Sequence, residues 1–387
     1  MPTALKEAVE RRVKDLVGRR RHFHAEPELS FQERETARVI ADHLGQWGFE
    51  VQTGVASTGV VGSLRGGRPG KGVLVRADMD GLPLEERSEL PFRSIHRGVM
   101  QACGHDVHMA IALTLAELLA ERRAELPGLV RFAFQPAEEV AGGAKPMVEA
   151  GVLDGIDRVI GLHVWAGLAT GLICARPGPL MASADQFSLT ITGKGGHGAL
   201  PHLTVDAVVI AAQVITALQT LRSRETPPAA PIVVTLGSIH GGTAHNIIAG
   251  EVVIEGTLRT FDSTLRQRLL GRIQELAQAI ASGMGGAATF RHLSGTPPVV
   301  NDAAMAGLVA EAAEVVGAEN VVSFEPLMVG EDFAYFLEQR PGCFFLLGGA
   351  PPGGPRVHHT ADFAVDEACL PIGLEVLGES VLRMLSD

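Results

Sequence analysis

Short apolar runs alternate with longer helical patterns in the first half of the chain. Runs rich in Val, Leu and Phe, such as 72–76 and 129–134, are typical of buried strands. Apolar residues at helical spacing separate these two runs, most clearly over 107–125. The pattern predicts strands at 72–76, 129–134 and 159–164 and helices at 1–16, 29–47, 107–125 and 141–150. This order is typical of an α/β sandwich.

The middle of the chain has a different pattern, in which apolar and polar residues alternate. Over 186–192, for example, every second residue is apolar. The pattern predicts strands at 186–192, 232–236, 252–260 and 288–292 and helices at 204–221 and 265–282. Strand, helix, strand, strand, helix, strand is the order of a ferredoxin-like α+β domain.

The α/β character returns after Pro297 and Pro298. The pattern there predicts a strand at 343–347 and helices at 303–316, 331–338 and 367–385. We therefore expect a discontinuous α/β domain, residues 1–183 and 298–387, with a ferredoxin-like domain inserted at 184–297. The expected fold class is a mixed-sheet α/β/α domain that carries an inserted α+β domain.

Composition narrows the classes of function. The 387 residues are 46% hydrophobic and 20% charged, a balance typical of a folded globular protein. The formal net charge of −11 argues against a general nucleic-acid coating role. No stretch approaches the roughly 20 apolar residues of a membrane-spanning helix, and residues 1–16 do not resemble an export signal. Four cysteines without a C-x-x-C pair favour a reducing cytoplasm.

Metal-ligating residue types follow the predicted strands of the α/β part. Cys103 and His105 directly precede the helix at 107–125, and Glu138 and Glu139 follow strand 129–134. Loops at the carboxyl ends of such strands usually hold the functional site. Each feature has a bland alternative, namely a packed cysteine, solvated carboxylates, a core histidine or an exposed loop. Together they offer sulfur, nitrogen and oxygen donors for one or two transition-metal ions: Cys103, His105, Glu139, His163 and one of His358 or His359.

Residues 193–198 formally match the glycine pattern G-x-G-x-x-G of dinucleotide-binding proteins. Such a site needs a helix that begins directly on the glycines and an acidic residue at the next strand. Here Pro201 and His202 intervene, and strand 232–236 ends without a carboxylate. We therefore do not expect a nucleotide cofactor.

Nine segments spread over nearly the whole chain resemble one known family. They are residues 21–33, 76–83, 101–108, 134–139, 161–163, 195–197, 246–248, 256–259 and 330–333. The chain resembles the M20 metallopeptidases, and within them the aminoacylase-like amidohydrolases that include hippurate hydrolase and the auxin-conjugate hydrolases. The resemblance implies a metallohydrolase domain with an inserted dimerisation and lid domain.

The resemblance also implies a centre of two divalent transition-metal ions, with Mn, Zn, Co or Ni as candidates. Its ligands would be Cys103, His105, Glu139, His163 and His359. The thiolate of Cys103 would bridge the two ions. His359 fits the family's last ligand motif, although Ala361 stands where the family usually has Pro. His358 remains as its neighbour, without an assigned role.

The remaining roles implied by the resemblance concern the reaction. Glu138 would be the general base that takes a proton from an activated water. His197, from the partner chain of a homodimer, would stabilise the oxyanion, and Asn246 and Arg259 would contact the substrate. Asp80 would orient the metal ligands. Its bland alternative is a carboxylate that caps a turn at a strand end.

We expect a metal-dependent amidohydrolase that cleaves a small N-acyl amino acid, or a similar conjugate, into a carboxylic acid and an amino acid. A metal-dependent dipeptidase is the nearest alternative. A non-catalytic metal-binding protein is a further alternative, but metal storage would not need both Glu138 and Glu139. The expected assembly is a cytoplasmic homodimer with no nucleic-acid or membrane partner.

Overall fold

The computed structural model describes residues 2–386, and within them the chain forms two compact units. The first unit contains the residues up to 180, 300–325 and those from 332 onward. The second unit contains 181–299 and 326–331. The short segment 326–331 thus groups with the second unit, whereas the sequence pattern placed it in the discontinuous α/β domain.

The two units are built from ten α-helices and fifteen strands within the described residues. The helices are α1 (Pro2–Ala25), α2 (Arg34–Gln46), α3 (His105–Glu121), α4 (Ala144–Glu149), α5 (Ala207–Leu218), α6 (Thr220–Ser223), α7 (Ser263–Gly283), α8 (Ala303–Ala313), α9 (Ala334–Leu337) and α10 (Cys369–Ser386). The strands are β1 (Glu50–Val55), β2 (Gly59–Arg65), β3 (Arg68–Asp78), β4 (Pro127–Gln135), β5 (Arg158–Ala169), β6 (Ile173–Cys174), β7 (Gly178–Met181), β8 (Ala184–Thr192), β9 (Gly196–His197), β10 (Ile232–Gly241), β11 (Ile247–Ile248), β12 (Glu251–Thr260), β13 (Ala287–Thr296), β14 (Val299–Asn301) and β15 (Gly342–Ala350). No helix within residues 2–386 is long and apolar enough to cross a membrane.

The first unit is organised around a seven-stranded mixed sheet in the order β1-β2-β4-β3-β5-β15-β6. The four central strands β4, β3, β5 and β15 are parallel, and the outer strands are antiparallel. Apart from the first four residues of β3 and the end of β5, the central strands are almost continuously buried, as is typical of parallel strands covered on both faces. The predicted mixed α/β fold is therefore confirmed.

Helix α3 is apolar on nearly all sides and is buried over most of its length. Gly104 precedes it with a φ of +96°, and a Cβ at this position would lie 2.3 Å from a methyl carbon of Val164. Only glycine combines this conformation with so close an approach to β5. The start of α3, at His105, is thereby held against the central strands.

The second unit contains a four-stranded antiparallel sheet in the order β10-β12-β8-β13, with α5 and α7 packed together on it. This is the ferredoxin-like strand order. The alternating residues Phe187, Leu189 and Ile191 of β8 are fully buried in its core. Asp206 and Asp262 cap the first turns of α5 and α7 by accepting main-chain N–H hydrogen bonds.

Several predicted helices are shorter in the structure; among them, those at 29–47, 141–150 and 331–338 form only α2, α4 and α9. The carboxylate of Glu28 accepts the main-chain N–H groups at the start of α2, which places residues 29–33 outside the helix. Asp332 is likewise tied to the guanidinium of Arg76. Side-chain hydrogen bonds made outside the helices thus accompany the starts of α2 and α9.

Two further differences lie at the N-terminal side of the first unit. The helix predicted at 1–16 continues to Ala25, and residue 1 lies outside the described residues. Strands β1 and β2 were not predicted. Most of β1 is exposed at the edge of the sheet, so it lacks the apolar pattern of the central strands.

Candidate metal centre

The candidate site of the first unit lies at the carboxyl ends of its parallel strands. Strand β3 ends at Asp78, and the turn that carries Glu138 and Glu139 follows the end of β4. His163 comes from β5, and His105 begins α3. Loops at this edge of parallel sheets commonly form binding sites.

The structure brings the five predicted metal ligands into one chain of contacts. The Sγ of Cys103 lies 3.4 Å from the Nε2 of His163. The two carboxylate oxygens of Glu139 lie 3.8 Å from the Nε2 of His105 and 3.3 Å from the Nε2 of His359. Ligand atoms of Cys103, His105 and Glu139 all lie within 4.8 Å of one another. His359 is the most exposed of the five, with 51% of its side chain accessible.

Main-chain carbonyl groups set the orientation of His105 and His163. The Nδ1 of His105 donates to the main-chain oxygen of Asp80 at 2.8 Å, and the Nδ1 of His163 donates to that of Val164 at 2.7 Å. Each Nε2 therefore faces the cluster, the arrangement typical of metal-ligating histidines. Burial holds the pKa of His163 well below its usual value, which keeps this ring neutral.

The charges at the site favour a cation. Burial lowers the pKa of His105, but Asp78 and then Asp80 and Glu139 outweigh it and raise the pKa to about 10. Burial, followed by the charges of Glu139 and Glu138, raises the pKa of the Cys103 thiol well above its usual value. These groups together would repel a thiolate unless a positive charge compensated them.

Two buried atoms support the same interpretation. The Nε2 of His105 and the Oε1 of Glu139 have no hydrogen-bond partner among residues 2–386, although they lie only 3.8 Å apart. Buried polar atoms are rarely left without a partner, and a bound ion can satisfy those that protein groups do not. The sulfur, nitrogen and oxygen donors present here are those that borderline transition metals bind.

Asp80 holds the turn that carries the two adjacent glutamates. Its Oδ1 accepts the main-chain N–H of Glu138 at 3.0 Å, and its Oδ2 accepts that of Glu139 at 3.1 Å. The hydroxyl of Ser30 donates to Oδ2 as well, at 2.7 Å. Asp80 therefore caps the turn that carries Glu138 and Glu139, and its role in orienting metal ligands stays a prediction.

Glu33 continues this row of hydrogen bonds, and sequence reasoning gave it no role. Its Oε1 accepts the main-chain N–H of Ala137 at 2.9 Å, and its Oε2 accepts the hydroxyl of Thr58 at 2.5 Å. Ala137 has a φ of +53°, a strained conformation for a residue with a side chain. Burial outweighs these hydrogen bonds and raises the pKa of Glu33. The only sequence feature that pointed to Glu33 was its position in segment 21–33, which resembles the M20 metallopeptidases.

Asp78 is a second residue that sequence reasoning left without a role. Its carboxylate accepts a hydrogen bond from His108 at 2.6 Å and lies 3.5 Å from the Nε2 of His105. Arg76 donates to Asp78 at 2.7 Å and to Asp332 at 3.0 Å. Burial favours the neutral acid, but Arg76 and His105 outweigh it and hold the pKa of Asp78 well below its usual value.

The other predicted site residues belong to the second unit. His197 is exposed on β9, and its Nδ1 accepts the main-chain N–H of Ala199 at 3.0 Å. Its Nε2 therefore carries a hydrogen that can be donated. Strand β11 pairs with β9, and the main-chain oxygen of Asn246 accepts the N–H of Gly198 at 2.8 Å, which places Asn246 beside His197. Arg259 lies on β12 and donates to the main-chain oxygen of Met328 at 3.0 Å.

Comparison with known proteins relates the chain to one family. Residues 74–383 match the family described as peptidase family M20/M25/M40. The chain is 43% identical, over 97% of its length and 89% of the relative, to N-acetyl-L-cysteine deacetylase of Bacillus subtilis (strain 168). It is 45% identical, over 77% of its length and 80% of the relative, to N-acyl-L-amino acid amidohydrolase of Geobacillus stearothermophilus.

A solved structure supports the same relationship. It is the crystal structure of a dinuclear metal binding peptidase from the M20 family of Bacillus subtilis, with a TM-score of 0.85 and 37% identity. The match covers 97% of this chain and 99% of the other. The predicted class of enzyme, an amidohydrolase, is confirmed by these relationships. This chain, as its segments 76–83 and 101–108 already indicated, belongs to peptidase family M20/M25/M40.

Proposed function

We propose that this chain is a two-metal amidohydrolase that cleaves N-acyl amino acids into a carboxylic acid and an amino acid. The observation that carries the proposal is the cluster of Cys103, His105 and Glu139, in which two buried atoms lack a partner within residues 2–386. Glu138 stands on the same turn as Glu139, so a candidate base lies next to a candidate ligand. The named activities of the Bacillus and Geobacillus relatives support this substrate class.

Five side chains would together bind the two ions. Cys103 would be shared, and the other donors are the imidazoles of His105, His163 and His359 and the carboxylate of Glu139. When bound, the ions would make a water molecule more acidic and polarise the amide carbonyl. The donor set suits Mn, Zn, Co or Ni.

Glu138 is the proposed general base and later the proton donor to the leaving amine. Asp80 holds the N–H groups of Glu138 and Glu139 with its two oxygens, which fixes the turn between them. Because Glu139 approaches His105 and His359, the neighbouring carboxylate of Glu138 is the candidate for proton transfer. A positioned carboxylate typically contributes about 10²-fold to 10⁴-fold to such a reaction.

The second unit would supply the contacts to the substrate. The Nε2–H of His197 is a suitable donor for the oxygen that gains charge during attack on the amide. Asn246, beside it, offers an amide to the same region. The guanidinium of Arg259 donates one hydrogen bond to the main-chain oxygen of Met328. Its other N–H groups could bind the α-carboxylate of an amino acid.

A homodimer and a cytoplasmic location complete the proposal. Several large apolar residues of the second unit are exposed, which favours a partner surface there; among them are Leu200, Leu203, Val208, Val209 and Ile239. In the proposed dimer, His197 of one chain would serve the metal centre of the other. The chain's four cysteines, Cys103, Cys174, Cys343 and Cys369, are unpaired, as in proteins of a reducing compartment.

Metal removal and a substrate panel test the proposal together. We expect chelation to abolish amide hydrolysis and Mn, Co, Ni or Zn to restore it, because the cluster holds the reactive centre. Cys103→Ala should lower the metal content, measured by elemental analysis. Full activity in the metal-free protein would contradict the assignment of the centre.

The substrate panel separates the proposal from its alternatives. N-acetyl, N-benzoyl and N-succinyl amino acids would be offered beside dipeptides with free amines. Higher kcat/KM on the N-acyl compounds supports the amidohydrolase, whereas a preference for dipeptides supports the dipeptidase. Metal binding without turnover of either class would favour a non-catalytic metal-binding protein.

A further inference from the structure

His358 lies beside the proposed ligands, and both of its ring nitrogens have a neighbour. Its Nε2 accepts the main-chain N–H of Ala166 at 3.1 Å, and its Nδ1 lies 3.9 Å from the Sγ of Cys103. The ring stacks on Trp165 with centroids 4.5 Å apart and lies 4.9 Å from the ring of Phe363. These contacts fix the plane of the ring and the nitrogen that faces the sulfur.

The hydrogen bond from Ala166 decides which nitrogen of His358 carries the proton. A main-chain N–H can only donate, so Nε2 must present its lone pair to Ala166. In a neutral imidazole the other nitrogen then carries the hydrogen. The Nδ1 of His358 therefore directs an N–H, rather than a lone pair, at Cys103.

Other histidines of the same site show that this distinction is systematic. His105 and His163 donate from Nδ1 to main-chain oxygens, which leaves Nε2 as the nitrogen that can bind an ion. His108 has the arrangement of His358: its Nε2 accepts the N–H of Val164 at 2.9 Å and its Nδ1 donates to a carboxylate. Hydrogen bonds to main-chain groups thus separate two histidines suited to bind metal from two that are not.

We propose that His358 donates a hydrogen bond from Nδ1 to the sulfur of Cys103 and is not itself a metal ligand. The inference rests on the proposed function, because it concerns a thiolate that holds metal. A hydrogen bond to a thiolate draws electron density from the sulfur and reduces its donation to the ion. His358 is therefore a positioning residue that adjusts Cys103, whereas the next residue, His359, is a ligand.

Cobalt-loaded protein provides the test, because the thiolate-to-cobalt charge-transfer band reports on the sulfur. His358→Phe keeps a ring between Trp165 and Phe363 but removes both nitrogens. We expect it to bind as much cobalt as the unsubstituted protein while its charge-transfer band moves to longer wavelength. His359→Phe is the matched neighbour and should lose cobalt. His358→Gln, whose amide can donate to the sulfur and accept from Ala166, should return the band toward its original position.

Each contrary outcome has a distinct meaning. A loss of cobalt in His358→Phe as large as that in His359→Phe would show that His358 is a ligand. An unmoved charge-transfer band would show that His358 makes no hydrogen bond to the sulfur. Either result overturns the inference and leaves the proposed metal centre intact. If the unsubstituted protein bound no cobalt, the proposed metal centre would fall and the inference with it.

Nitrogen NMR of the unsubstituted protein tests the same point without relying on His358→Phe folding. Zinc-loaded protein with ¹⁵N-labelled histidine should show one ring, absent from His358→Gln, with a protonated Nδ1 and a metal-free Nε2. A metal-bound Nδ1 in that ring would overturn the inference.

Discussion

The predicted site residues of the two units differ in how firmly their surroundings hold them. In the first unit, Cys103 and His105 are buried, and Asp80 holds the adjacent turn through two main-chain N–H groups. In the second unit, His197 is exposed on the short strand β9. Asn246 is exposed directly before β11, the strand that pairs with β9. A preorganised cluster suits the binding of ions, whereas exposed polar groups suit contact with a molecule that arrives from solution. We therefore expect substitutions in the two units to impair activity in different ways.

The largest expected effect separates the adjacent glutamates of the first unit. Glu138→Gln should lower kcat by about 10²-fold to 10⁴-fold, because it removes the proposed base. Its metal content should not change. Glu139→Gln should lower the metal content itself, because Glu139 lies between His105 and His359. Elemental analysis and kinetics on one N-acyl amino acid measure both effects, and the reverse pattern would exchange the two roles.

The next effect tests whether the second unit serves the partner chain. His197→Ala should lower kcat by about 10²-fold to 10³-fold, the usual loss on removing one oxyanion donor. When His197→Ala and Glu138→Gln are dissociated and reassociated together, activity should return to about a quarter of the unsubstituted value. Half of randomly formed dimers are mixed, and each would contain one intact site.

Mixing Glu138→Gln with Glu139→Gln is the control for that experiment. Both residues belong to the first unit, so each site of a mixed dimer would keep one defect and no activity should return. Native mass spectrometry must show that mixed dimers form. If they form and the His197→Ala mixture stays inactive, His197 does not act on the partner chain.

The sequence predicted the elements that have a strong burial pattern and the residues whose chemical type is distinctive. The parallel strands and the ferredoxin-like order follow from buried runs and strict alternation. The candidate ligands follow from residue types near strand ends, except that the choice of His359 over His358 comes from the family resemblance. The exposed edge strand β1 has no such pattern. The role of Glu33 and the proton position on His358 depend on nearby main-chain groups of residues 137 and 166, which only the folded chain defines.

A smaller effect concerns the proposed clamp of the second unit. Arg259→Gln should raise KM about tenfold to a hundredfold with little change in kcat, since a hydrogen bond to a charged group contributes about 1.5–3 kcal/mol. Arg268→Gln is a matched control, because Arg268 also donates to a main-chain oxygen of this unit. Substrates whose α-carboxylate is amidated should not distinguish Arg259→Gln from the unsubstituted protein. If Arg259→Gln raised KM equally for amidated substrates, Arg259 would not be the group that binds the α-carboxylate.

The smallest expected effect tests how far the position of the turn that carries Glu138 and Glu139 depends on Glu33. Glu33→Ala removes the acceptor for the N–H of Ala137, while Asp80 still holds the next two residues. We therefore expect kcat to fall by only about tenfold, the lower end of the range for residues that support a metal site. Glu33→Gln keeps an oxygen for Ala137 and should retain most of the activity.

Glu28→Ala is the matched control for Glu33→Ala, because it removes a neighbouring carboxylate that also accepts main-chain N–H groups. Glu28 bonds Glu35 and Thr36 at the start of α2, so its loss should cost about 1 kcal/mol of stability, as for other helix caps. It should leave kcat unchanged. Thermal unfolding and kcat measured on both variants separate the roles. If the two variants lost stability and kcat alike, Glu33 would support the fold in general, and Asp80 alone would position the glutamate turn.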